Sequence, residues 1–280
     1  MINLGSSHHP NRLWRWVMFV AAGLVFSNVQ SLAETPAPGK APPGFVAGYL
    51  AKEALPDSLT LLPPPPATGS AAQARDEEAA KTALALNGTP RWNLATQDAD
   101  ISFPNVAGTF SCALDAPVTE ADTPHLYVLL RRSMTDAGLA TFAAKEAYQR
   151  LRPFQVNNQP ICSPESKKRL EDNGAYPSGH ASLGWAWALI LSEIAPERTN
   201  AILARGSAFG DSRSICNVHW ESDVAGGRLI GAGVVARLHA EPAFLAELAA
   251  ARAELVAVRT KKLGATRNCM AEAEAMAIHP

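Results

Sequence analysis

Several common signals are missing from these 280 residues. No run of Lys or Arg forms a basic stripe, and none alternates with aromatic side chains, which argues against nucleic acid as a partner. No Cys-x2-Cys or His-x3-His spacing occurs, so a zinc site has no starting point and no metal or other cofactor is expected. Alternating apolar and polar residues are scarce and no block repeats at a fixed period, which leaves helices as the dominant element. The apolar stretches Leu183–Ile194 and Leu229–Val235 fall short of the roughly 20 residues that span a bilayer.

What is present begins with an export pattern. Arg12 and Arg15 precede the apolar run Val17–Phe26, and Ser31-Leu32-Ala33 supplies the small residues of a cleavage site. Residues 1–33 therefore read as a secretory signal cleaved near Ala33-Glu34, with a periplasmic destination and no membrane span left after cleavage. Cleavage would remove two arginines and no acid, moving the net charge from -1 to about -3. Cys112, Cys162, Cys216 and Cys269 all lie beyond it, and an even count in an exported chain suggests disulfides. Three pairings are open.

Residues 34–66 are proline-dense and end in Leu61-Leu-Pro-Pro-Pro-Pro66, a run that must lie extended over the surface. Residues 34–45 read as a tether, whereas Phe45 to Leu62 is apolar enough to pack. Ser70 and Gln73 form a capping box before an alanine-rich helix stopped by Asn87-Gly88. Periodicity predicts further helices near 91–100, 123–137, 139–151, 180–195, 197–209, 218–238 and 241–262. The expected fold is all-α, a single-domain helical bundle with a buried central helix and a Pro-rich N-terminal extension. Gly226, Gly227, Gly231 and Gly233 share one predicted helix, where glycine is costly unless another backbone comes close, so this helix is expected to be the buried centre of the bundle.

Three stretches carry chemistry. In Ser212-Arg213-x5-His219-x3-Asp223, a helix beginning near Val218 would place His219 and Asp223 on one face, with the carboxylate fixing the imidazole tautomer. In Tyr176-Pro-Ser178-Gly179-His180, an apolar run follows Pro-Ser-Gly, so a helix N-terminus should present free N–H groups to an anion. In Lys145-x6-Arg152-Pro153, residues seven apart on a helix differ by only about 20° and project together. Lys145, Arg152 and Arg213 with Ser178 and Gly179 describe a pocket for a tetrahedral dianion. His219 then reads as nucleophile and His180 as acid for the leaving group.

These three stretches, in this order, resemble the signature of the type 2 phosphatidic acid phosphatase and vanadium haloperoxidase superfamily. Leu61-Leu-Pro-Pro-Pro-Pro, Gly108-Thr-Phe-Ser-Cys112 and Asp136-Ala-Gly-Leu-Ala-Thr-Phe-Ala-Ala-Lys145 further resemble the bacterial class A non-specific acid phosphatases, a likeness running from about Tyr49 to Leu248. The resemblance implies metal-independent hydrolysis of phosphomonoesters, such as nucleotides and sugar or aryl phosphates, or transfer of phosphate to alcohols. It implies a phosphohistidine on His219 oriented by Asp223, proton donation by His180, and phosphoryl oxygens held by Lys145, Arg152, Ser178, Gly179 and Arg213. It also implies export and, often, a homo-oligomer. Residues 67–265 would be the phosphatase domain and 266–280 a tail. A vanadate-dependent haloperoxidase using the same pocket and a non-catalytic phosphate binder are the rival readings. Glu146 and Tyr148 are candidates to touch the leaving group, with surface placement the simpler expectation. His125 reads as structural, and His239 and His279 lie outside every motif.

Overall fold

The computed structural model describes residues 46–279; the signal-like segment 1–33 and the tether 34–45 lie outside the described residues. No strand occurs among the described residues; ten α-helices organise them, with the five-residue Lys167–Glu171 and shorter or 3-10 turns between. A serine or threonine hydroxyl starts each of the first two: Ser70 accepts from the Gln73 N–H ahead of α1 (Ala71–Leu84), and Thr89 accepts from the Trp92 N–H ahead of α2 (Pro90–Ala99). Prolines open α3 (Pro124–Leu139), α5 (Pro153–Asn157) and α9 (Pro242–Thr260), where the missing N–H costs nothing. The others are α4 (Phe142–Tyr148), α6 (Gly179–Ile194), α7 (Thr199–Ile215), α8 (Glu221–Leu238) and α10 (Cys269–Met276).

Helix α6 is buried around most of its circumference and packs against α3, α7 and α8. The glycines of α8 permit this contact. A Cβ on Gly227 would collide with the Ser178 carbonyl oxygen, and one on Gly231 with that of Ser182, so the two backbones meet without side chains between them. The segment from residue 46 packs as expected: Leu50 and Leu62 are buried, and the Tyr49 and Leu50 N–H groups donate to the Asp136 carboxylate on α3.

Three sequence expectations change. The helix expected over 139–151 stops at Tyr148, because Gln149 turns left-handed with φ 43°. Lys145 and Arg152 therefore do not share a helix, and Pro153 starts α5 where it was expected to end a helix. The helix expected from 218 begins at Glu221, so His219 precedes it. The stretch 266–280, read as a tail, contains α10. The two disulfides are Cys112–Cys269, which ties α10 to the short turn Ser111–Leu114, and Cys162–Cys216, which ties the loop after α5 to the end of α7.

Close packing at the glycines gives a contrast testable by thermal denaturation. Gly231→Ala should destabilise the fold by about 1–3 kcal/mol through overpacking. Gly138→Ala on α3, where an added Cβ meets nothing within 4 Å, should be neutral or stabilising by up to about 1 kcal/mol.

Candidate active site

The site forms where the N-terminal ends of α6 and α8 meet. Ser178 caps α6 through its hydroxyl, and its own backbone N–H donates to the Asp223 carbonyl oxygen at 2.9 Å. Asp223 in turn caps α8, its Oδ2 accepting from the Trp220 N–H at 2.8 Å. Asn217 reverses the chain between α7 and α8 with φ 60°, and the Val218 and His219 N–H groups both return to the Arg213 carbonyl oxygen. This turn holds His219 at the mouth of α8, close to the carboxylate that caps it.

Arg152 fixes the histidine's tautomer. Its Nη1 lies 3.0 Å from His219 Nε2, and a guanidinium can only donate, so Nε2 is the acceptor and the ring proton sits on Nδ1. Nδ1 faces Asp223 Oδ2 at 3.4 Å, an ion–dipole contact without hydrogen-bond geometry. Burial, then the charges of Arg152, Lys145 and Arg213, hold the His219 pKa well below 6.5, so the ring is neutral. Burial raises Asp223 to about 6, with the Arg150 guanidinium opposing it most strongly. The sequence placed His219 and Asp223 on one helical face; they meet because one residue caps the helix that the other precedes.

Three cations share this interior. Arg152 donates through Nε to the Leu170 and Asn173 carbonyl oxygens and through Nη1 to that of Val218, and Lys145 Nζ donates to Gly174 O at 2.9 Å. Arg213 is buried, with its Nε unpartnered. Burial lowers all three; the Arg152 charge adds to it at Lys145 and Arg213, Asp223 opposes it at Arg152, and Lys145 comes to about 7. His180 donates from Nε2 to Ala99 O at 3.2 Å and stacks on Phe209; burial and then Arg213 hold its pKa well below 6.5.

Of the residues singled out, Lys145, Arg152, Gly179, His180 and His219 line one cavity of about 200 Å³. Ser178, Arg213 and Asp223 are buried around it. A larger cavity of about 750 Å³ between α1, α7 and the C-terminal stretch contains none of the singled-out site residues, only the intervening motif positions Ser214, Ile215 and Glu221. Glu146 is exposed and Tyr148 packs against Tyr176, and neither lines the smaller cavity. His125 and His239 pair with Glu247 and Glu193 at the surface. Among the described residues, no three His, Cys, Asp or Glu side chains cluster in a way that could hold a metal ion.

Sequence reasoning passed over Arg150. Its Nη1 donates to Asp223 Oδ1 at 2.6 Å and to Ser222 Oγ, and its Nη2 to Gln73 and Asp76 on α1. A buried carboxylate requires such a partner, and that requirement was the available signal. Arg169 and Asn173, both on the cavity wall, carried no motif.

The PAP2 superfamily model matches residues 126–242. The chain is 43% identical over 212 residues to the non-specific acid phosphatase of Providencia stuartii, covering 75% of this chain and 86% of that one. It is 44% identical over 200 residues to the non-specific acid phosphatase of Salmonella typhimurium, covering 71% and 80% respectively. With the acid phosphatase of Zymomonas mobilis subsp. mobilis it shares 40% identity over 204 residues, 73% of this chain and 77% of that one.

Arg150→Met tests the buried pair. Leaving Asp223 without its guanidinium should cost about 3–5 kcal/mol. It should also push the carboxyl further up. A carboxyl raised in the folded state keeps its stability below the unfolded pKa and loses it as pH climbs through the folded one. The drop in Tm should therefore be larger at pH 7.5 than at pH 5.

Proposed function

The chain belongs to the class A non-specific acid phosphatases of the PAP2 superfamily, and from that premise we propose that it hydrolyses phosphomonoesters without a metal, through a phosphohistidine on His219. The observation that carries this reading is the neutral His219, with its Nε2 lone pair held 3.0 Å from Arg152 and its Nδ1 proton facing Asp223.

A substrate dianion supplies what the three buried cations lack. Arg152 Nη1 transfers its donation from the ring to a phosphoryl oxygen, which frees Nε2 to attack phosphorus. Lys145, Arg213, the Ser178 hydroxyl and the backbone at Gly179 hold the remaining oxygens as charge builds on them. As the Nε2–P bond forms and the P–O ester bond breaks, the imidazole becomes cationic and Asp223 stabilises it across 3.4 Å. His180 gives its proton to the departing alkoxide. It then takes one from a water, or from an acceptor alcohol, that attacks the phosphohistidine and releases His219.

An acid optimum follows from His180. Burial and Arg213 keep it neutral in the empty site, so it is charged only at low pH or beside a bound anion. Export completes the reading. Residues 1–33 act as a signal cleaved near Ala33-Glu34, residues 34–66 as a Pro-rich extension and 67–265 as the phosphatase unit, in the periplasm, where disulfides persist. No single described helix is long and apolar enough to cross a membrane.

Hydrolysis of phenyl phosphate near pH 6 with chelator present tests the mechanism. Wild type should turn over, His219→Ala should not, and an acid-labile, base-stable phosphoenzyme should be trapped on wild type alone. Asp223→Asn should retain phosphate binding while kcat falls by about 10²–10⁴-fold through loss of the charge that stabilises the cationic imidazole. Equal activity in His219→Ala would remove the phosphohistidine.

Anion affinity gives a pH test. With a pKa of about 7, Lys145 is charged below that pH and neutral above it. Calorimetric affinity for sulfate, which stays dianionic throughout, should therefore weaken between pH 6 and 8. Lys145→Arg should flatten that slope.

A further inference from the structure

Resting on the phosphatase reading, we infer that the leaving-group side of the cavity is an aromatic subsite whose planar wall is Phe142. Phe142 opens α4, and Lys145 lies one turn further along the same helix, about 4.5 Å in axial rise. Both line the cavity. A phosphoryl group held at Lys145 therefore has the Phe142 ring as its neighbour along the helix axis. Thr141, beside it, approaches the phosphate-holding Gly179: a Cβ built there would lie 3.8 Å from Thr141 Oγ1.

Outside the phosphate-holding motifs most of the lining is apolar, with Arg169, Asn173 and Thr141 its polar members. Ile101, Met134, Leu170 and Leu183 join Phe142 on the lining. The Thr141 hydroxyl already donates its proton to Gly138 O at 2.7 Å. A polyol leaving group would exchange water for hydrocarbon at most of its hydroxyls, and each unpaired one costs about 1–3 kcal/mol. An aromatic ring suffers no such loss and gains an edge or face contact with Phe142.

Size and exposure agree with this assignment. The cavity of about 200 Å³ lies below the roughly 300–1,000 Å³ of sites that enclose drug-sized ligands, so a phosphoryl group and one ring fill it. Phe142 is 42% exposed although it is a large aromatic on a folded domain. Its outer face is free to meet a ligand at the cavity mouth.

The test compares benzyl phosphate with glycerol 1-phosphate. Both release alkanols, so differences in leaving-group acidity drop out. In Phe142→Ala, kcat/KM for benzyl phosphate should fall about tenfold, mostly through KM, while glycerol 1-phosphate stays within about twofold, as expected for loss of one aromatic contact. Phe142→Tyr should restore the wild-type ratio. Equal losses on both esters, or an unchanged ratio in Phe142→Ala, would overturn the subsite while leaving the phosphatase reading in place. Failure of wild type to hydrolyse either ester would instead bring down the phosphatase reading, and the subsite with it.

Discussion

A carboxylate without access to water, Asp223, joins the working parts of this structure at one point. Its backbone carbonyl receives the Ser178 N–H at the start of α6, one side-chain oxygen caps α8 and faces His219, and the other receives Arg150. Arg150 continues the connection to Gln73 and Asp76 on α1. Stability and catalytic geometry therefore share one group. A cap, an ion pair and a histidine partner could each be supplied separately in a larger site. Here they converge, so the histidine is positioned by interactions that the fold itself requires.

The second constraint is electrostatic. Lys145, Arg152 and Arg213 are buried together; burial lowers the pKa of each, and the Arg152 charge lowers Lys145 and Arg213 further. Such a cluster is costly when empty and is relieved by a dianion, so part of the folding free energy is held in reserve for binding. Burial, reinforced by these charges, keeps both histidines neutral in the empty site. A dianion entering among these cations offsets most of their charge, which favours the protonated form of a nearby His180.

Much of this was legible in the sequence, and the failures have a common cause. Helices α1, α2, α6 and α9 carry local signals, namely Ser70, Thr89, Pro-Ser178-Gly and a proline at the first turn, and they appear near where those signals place them. The three motifs named the residues that meet in the cavity. Their mutual geometry was less accessible. Periodicity put Lys145 and Arg152 on one helix, but Gln149 adopts a left-handed conformation that its side chain does not announce. The contact between His219 and Asp223 was expected for the wrong reason, since spacing alone does not distinguish a helical face from a residue just ahead of its cap. Arg150 and Asp76 were silent because a partner 74 positions away leaves no local pattern. Cysteine pairing needed three-dimensional distances for the same reason.

The manner in which the cations are held explains why the loop between α5 and α6 matters. Lys145 and Arg152 donate to the carbonyl oxygens of Leu170, Asn173, Gly174 and Val218, while no carboxylate bonds to them directly. A carbonyl dipole fixes a cation's position yet leaves its full charge for an incoming anion. A carboxylate in the same place would neutralise that charge and compete with the substrate. Most of those carbonyls belong to the loop between α5 and α6, which contains only short helical turns. The Cys162–Cys216 disulfide and the Asn217 amide, which donates to Gln159 O and Pro160 O, clamp that loop to the turn carrying Arg213 and His219. The covalent link thus spans two sides of the cation-lined cavity. That bond holds the uncompensated charges in register with His219.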